Sequence, residues 1–147
     1  MKVRLRVTGR QTVDGQTDET VLDLPGTLTA LDDGWEIVYH QREEGQAITT
    51  RVRVTDGMMT VTRSGDAAST LRLKPGKPLN ARYDTGYGVL PMTIQTDLLL
   101  CDLTPSGGRV TARYRLIIGG MTAGHELTME VKQEERVDHV HCSADCP

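Results

Sequence analysis

Phenylalanine is absent from this chain of 147 residues, and the aromatic complement stops at one tryptophan and four tyrosines. Leu, Val, Ile and Met must therefore fill the interior with less bulk per residue. A barrel of about eight strands is either just filled by side chains or holds one small ligand, and few large fillers tilt that choice toward a cavity or a flattened barrel. Lysine is also rare, four against thirteen arginines, and the net charge is −3. Such a balance supplies no basic field for nucleic acid, and a stacking platform for single strands would want more aromatics. The longest apolar run is Leu98-Leu99-Leu100-Cys101, far below a membrane span, so no membrane partner is expected. Met1–Arg6 already alternates and lacks the apolar centre of a secretory leader. A cytoplasmic location with reduced cysteines follows as the expectation.

What is abundant suits strands. Thr, Val and Ile account for 37 residues, and glycines recur between runs such as Val3–Val7 and Arg109–Leu116 that alternate apolar and polar. Short alternating runs broken by turn residues about every eight to twelve positions describe a sandwich or barrel. Strands are expected at about 2–8, 17–24, 27–31, 35–41, 47–55, 58–64, 69–73, 79–84, 89–100, 109–118 and 121–132, with boundaries good to about 2–4 residues. Turns are expected at Asp14-Gly15, Pro25-Gly26, Asp33-Gly34, Asp56-Gly57, Pro75-Gly76 and Ser106-Gly107-Gly108. Consecutive hairpins around one core favour a single antiparallel β-barrel of about 8–10 strands over residues 1–132, with little helix. Residues 133–147 read as a flexible tail, and Pro91 marks a strand edge or bulge.

Each strand's apolar parity should face inward, as with Leu22, Ile37, Val52, Leu90, Leu98 and Met121, leaving Leu31, Val89, Leu99 and Leu103 outside. Six polar groups share the inward parity: Tyr39, Arg63, Tyr83, Thr96, Tyr114 and His125. Each either finds backbone or water near a strand end or joins a ligand-contacting cluster. Arg63 is the sharpest member, because a buried guanidinium needs an acid or an anion. Arg51, Arg53, Arg113 and Arg115 share the polar parity, and pairing with nearby carboxylates is their simplest reading.

Over residues 35–131 the order of motifs resembles the YwiB-like family of small bacterial proteins of unknown function. The resemblance runs through Trp35–Tyr39, Thr50–Val54, Val61-Thr62-Arg63-Ser64-Gly65, Tyr83-Asp84-Thr85-Gly86-Tyr87-Gly88 and Ile94-Gln95-Thr96. Arg63, Gly65, Tyr83, Thr85, Gly88 and Thr96 fall on the family's recurring positions. The resemblance implies a calycin-like barrel, a cytoplasmic location and no assigned activity. The family often places an acid shortly after the tyrosine, whereas Tyr39 is followed by His40 and Gln41. Glu43 or Glu44 would then have to partner Arg63, or the pairing is absent.

Catalytic motifs fail one by one. His125-Glu126 lacks the second histidine of a zincin and lies in a strand pattern. No serine sits in a nucleophile elbow, and the loop acids offer no acid and base in separated environments. His139, His141, Cys142 and Cys146 are borderline zinc donors with poor spacing, so neither metal nor cofactor is expected. The expectation is a non-enzymatic barrel binding a small, partly apolar ligand, with Tyr39, Arg63, Tyr83, Thr96, Tyr114 and His125 nearest it. The alternative is a protein-interaction module acting through a strand edge or an outer apolar patch, as monomer or homodimer.

Overall fold

The expected alternation becomes ten antiparallel strands in a computed structural model, which describes residues 1–66, 68–84 and 86–134. They are β1 (Lys2–Val13), β2 (Gln16–Leu31), β3 (Gly34–Glu43), β4 (Gln46–Thr55), β5 (Met58–Gly65), β6 (Ser69–Leu73), β7 (Leu79–Asp84), β8 (Val89–Thr104), β9 (Gly107–Ile118) and β10 (Met121–Gln133). There is no helix among the described residues. Each strand pairs with its neighbours in sequence except across β6 and β7, and β1 pairs with β10. The result is a nearly closed barrel whose hydrogen-bonded order ends at β6 on one side and β7 on the other. The histidines and cysteines of the tail lie outside the described residues.

Asp-Gly chemistry places the hairpins. Asp14-Gly15 and Asp56-Gly57 hold φ values of 51° and 78°, and of 50° and 73°. Two consecutive positive values match the twist of the flanking strands. Pro25-Gly26, by contrast, is no turn: both residues lie inside β2, which runs unbroken from Gln16 to Leu31. Gly26 is there because the chain is crowded, since a Cβ would stand 2.6 Å from Leu5 Cδ1 and 2.8 Å from the Val38 carbonyl oxygen. Such close approach is the other use of a strand glycine. Pro25 sits where the ladder between β2 and β3 stops, because that ladder begins at Gly26.

The inward parity forms one core, with Val3, Leu5, Ile37, Val52, Met59 and Met129 among its buried members. Leu28, which the sequence pattern left unassigned, joins them. A register shift between Thr96 and Leu98 makes Asp97 an extra residue in β8. A bulge of this kind reverses the facing of everything after it. Leu99 and Leu103 consequently pack on the core, opposite to their expected facing, while Leu98 is not among the residues packed there. Leu90 and Met121, expected inside, are exposed because they lie at strand ends beyond the core. Pro91 pairs with Arg82 on β7, whereas the β8–β9 ladder starts at Met92, so it stands at the strand edge as expected.

Gly34 and Gly9 give a sharp contrast. A Cβ on Gly34 would lie 1.9 Å from the Val54 carbonyl oxygen, whereas one on Gly9 meets nothing within 4 Å. Gly34→Ala should lower unfolding free energy by about 1–3 kcal/mol as an overpacked backbone contact. Gly9→Ala should stay within about 0.5 kcal/mol of the parent, and urea denaturation of the two variants checks the difference.

Candidate functional site

Two rows of polar side chains cross the inner face. In the first, Tyr39 on β3 stands opposite Thr50 on β4, and Thr50 opposite Arg63 on β5. Tyr39 and Thr50 are buried, with relative exposures of 7% and 2%. Burial pushes the Tyr39 phenol above its usual pKa, opposed by the neighbouring Thr50 hydroxyl and by the charge of Arg63. Thr50 and Tyr39 are neighbours without the alignment of a hydrogen bond, for Thr50 Oγ1 has no partner. Arg63 is half-buried and reaches Glu43, with Nη2 3.5 Å from Oε1. Glu43 thus supplies the acid that Tyr39's own neighbours do not.

The second row runs from Thr96 on β8 through Tyr114 on β9 to His125 on β10, and on to Gln11 and Asp18 on β1 and β2. The rings of Tyr114 and His125 stack with centroids 5.0 Å apart and planes 4° from parallel, an offset arrangement that aromatic quadrupoles favour. Burial raises the Tyr114 pKa and lowers that of His125, which keeps the imidazole neutral near pH 7. Thr96 is 2% exposed, and its hydroxyl has no partner among the described residues. Beside the stacked pair opens a cavity of about 200 Å³, lined by Arg10, Gln11, Asp18, Thr20, Glu126 and Leu127 as well as the two rings, with side-chain-free Gly9 in its wall.

The six expected residues therefore divide. Tyr39 and Arg63 belong to the first row, Thr96, Tyr114 and His125 to the second, and Tyr83 to neither. Tyr83 is 48% exposed, opposite the equally solvated Leu90. Parity names the face on which a residue lies; it does not say whether another strand covers that face, and at this end of the edge strand β7 none does. Thr50, Gln11 and Asp18 join these rows from outside the expected set. Thr50 carried the same signal as Thr96, a hydroxyl in register with Ile48, Val52 and Val54. Gln11 and Asp18 were hidden because β1 and β2 extend farther than their apolar runs.

The arginine stripe is neutralised. Arg51 and Arg53 approach Glu36 Oε2 at 3.6 and 2.7 Å, and Arg113 lies 3.9 Å from Glu126. Arg115 grips Asp97 through both carboxylate oxygens, at 2.8 and 3.0 Å. The bulged residue is thereby held to the neighbouring strand by its side chain.

Comparison with known proteins agrees with this architecture. A family model described as "Domain of unknown function (DUF1934)" matches residues 5–129. The "Uncharacterized beta-barrel protein YwiB" of Bacillus subtilis (strain 168) is 27% identical over 81 residues, covering 55% of this chain and 57% of that protein. The alignment thus spans little more than half of the relative's length. The crystal structure of the ywiB protein from Bacillus subtilis superposes with a TM-score of 0.79 over 91% of this chain and 92% of that one, at 22% identity.

The lowered pKa of His125 has a thermodynamic consequence. Below pH 6.5 the unfolded chain takes up a proton on this histidine more readily than the folded one, so stability falls as pH drops toward the depressed folded value. His125→Gln should flatten the pH dependence of the urea midpoint between about pH 7 and 5, and NMR titration of the His125 ring should give a midpoint below the ordinary histidine value of 6.5.

Proposed function

Because the chain belongs to the family described as Domain of unknown function (DUF1934), whose description carries no activity, we propose from its own geometry that it is a non-enzymatic binder of a small, partly apolar ligand. The stacked Tyr114–His125 pair beside the unfilled wall at Gly9 carries this reading. A cavity of about 200 Å³ suits a ligand of one or two rings, since an apolar cavity of about 150 Å³ accepts benzene. The rings offer a face for stacking, Leu127 an apolar side, and Gln11 with Asp18 acceptors for an N–H or O–H donor. Convergence of an apolar wall with a few polar groups is the usual form of a small-molecule site.

The ligand in this reading is neutral or carries a donor group, because Glu43 already answers Arg63, Arg10 at the cavity is met by Glu19 and Glu126, and Asp18 faces the cavity. No reaction is assigned. A catalytic histidine is normally oriented by a carboxylate or carbonyl and positioned against a nucleophile, and among the described residues His125 has only a ring contact.

A library of one- and two-ring heteroaromatic fragments, screened by ¹⁵N-correlation NMR at millimolar concentration, tests the proposal. Hits should shift the amides of Gly9, Gln11, Tyr114, His125 and Leu127. Tyr114→Ala should weaken them by about 2- to 12-fold, the worth of an aromatic pair. Fragments that bind only elsewhere, or none that bind at all, would refute it.

A further inference from the structure

The barrel's only ladder missing between sequence neighbours lies between β6 and β7. Just past β6, Pro75 bridges to Thr96 on β8, so the two ends of the sheet approach one another without zipping. Alternation around the sheet makes β6 and β7 antiparallel across this seam, and among the described residues neither has a second ladder to pair its outer row of backbone N–H and C=O groups. The link between them, Lys74-Pro75-Gly76-Lys77-Pro78, holds two prolines. Proline lacks an N–H and fixes φ, which keeps this segment from tightening into a hairpin that would pair the strands.

The seam also stands apart in charge. Residues 69–83 contain Arg72, Lys74, Lys77 and Arg82 and no acid. All four are exposed. None enters an ion pair among the described residues, whereas Arg6, Arg10, Arg51, Arg53, Arg63, Arg109, Arg113 and Arg115 each have a carboxylate within 3.9 Å. Lys2, Arg4, Arg42 and Lys132 also lack one, but they are scattered over β1, β3 and β10 rather than gathered in one acid-free stretch. From 57 to 96 there are five cations against only Asp66 and Asp84, in a chain whose net charge is −3. Asp66 is engaged, accepting a hydrogen bond from the Ala47 amide at 2.8 Å.

We propose that this seam is a docking site for an acidic, extended segment of another protein, which adds as a strand to the free edges of β6 and β7. Free edges bind a partner strand through main-chain hydrogen bonds, and side chains of alternating facing set the selectivity. Unmatched cations draw in acidic chains and repel the identical seam of a second copy, so one set of charges both attracts the partner and prevents self-association. Tyr83 and Leu90, an exposed cross-strand pair at the end of β7, offer an apolar hold for a side chain of the incoming strand. The site is separate from the cavity at Tyr114 and His125, and neither proposal depends on the other.

A fluorescein-labelled ten-residue peptide alternating Glu with Val and Thr provides the probe, read by fluorescence anisotropy. Binding should weaken at least tenfold when salt is raised from about 0.05 to 0.5 M, because the cations are exposed and screened. Arg72→Glu combined with Arg82→Glu should abolish it, while an unchanged Tm shows that the barrel remains folded. Replacing alternate peptide residues with proline should abolish it too, since the donors are lost but the charge is kept. Amide hydrogen exchange should slow at residues 69–73 and 79–84 alone. The proposal is overturned by absence of binding at millimolar peptide, by equal binding of the proline-containing peptide, by equally tight binding of single-stranded oligonucleotide, or by protection elsewhere.

Discussion

Every backbone N–H and C=O in a sheet must find a partner, and in a meander the two outermost strands are the ones left wanting. Here the first and last strands satisfy one another through the register Val3↔Gln133 to Thr12↔Gly124. That single long-range ladder moves the unpaired edges from the chain's ends to its middle, at β6 and β7. It also puts the inward parities of all ten strands around one interior. Val3 and Leu5 from the first strand then share a core with Met129 and Val131 from the last. Both candidate sites follow from this arrangement: one lies where inward side chains run past the core, the other where the sheet fails to meet itself.

Much of this was readable from alternation and turn chemistry, because both are local. Asp14-Gly15 and Asp56-Gly57 announce hairpins through a conformation that few other pairs adopt easily. What stayed hidden depends on distant partners. Asp97 looks like any strand residue, yet its insertion reverses the facing of Leu98 and Leu99. Its recognisable partner, Arg115, is distant in sequence. Gly26 looks like a turn, and only the proximity of Leu5 and Val38 shows it to be a point of crowding. Inward parity grouped six polar residues as one set, but only the registers show that Thr96, Tyr114 and His125 share one row and that Tyr39 and Arg63 share another. Tyr83 stands apart from both, since an edge strand's inner face can still meet water. The charge asymmetry around β6 and β7 was present in the composition but meant little until eight of the other arginines were seen to be paired.

The outer face shows how little such pairs need contribute for the fold to stand. Ion pairs such as Arg6–Asp23 at 2.8 Å and Arg10–Glu19 at 3.0 Å are solvent-exposed, and water and salt screen pairs of that kind until they add little to stability. Their more important effect is on specificity. Among the described residues, Lys2, Arg4, Arg42 and Lys132 also lack an ion pair, but the four unmatched cations that fall together without an acid coincide with the unmatched edges of the sheet.

Closure by the terminal strands also bears on how the chain is made. A ribosome delivers β1 before β10, so β1 waits for its second neighbour until the eight strands between them have been made. Until then the nascent meander has a bare edge at Lys2–Val13 carrying Val3, Leu5 and Val7, which are all buried later. Long-range pairing of this kind is slow and leaves intermediates prone to aggregation. The charges alternating along that strand, Lys2, Arg4, Arg6 and Arg10, are well placed to keep it soluble and apart from its copies during synthesis.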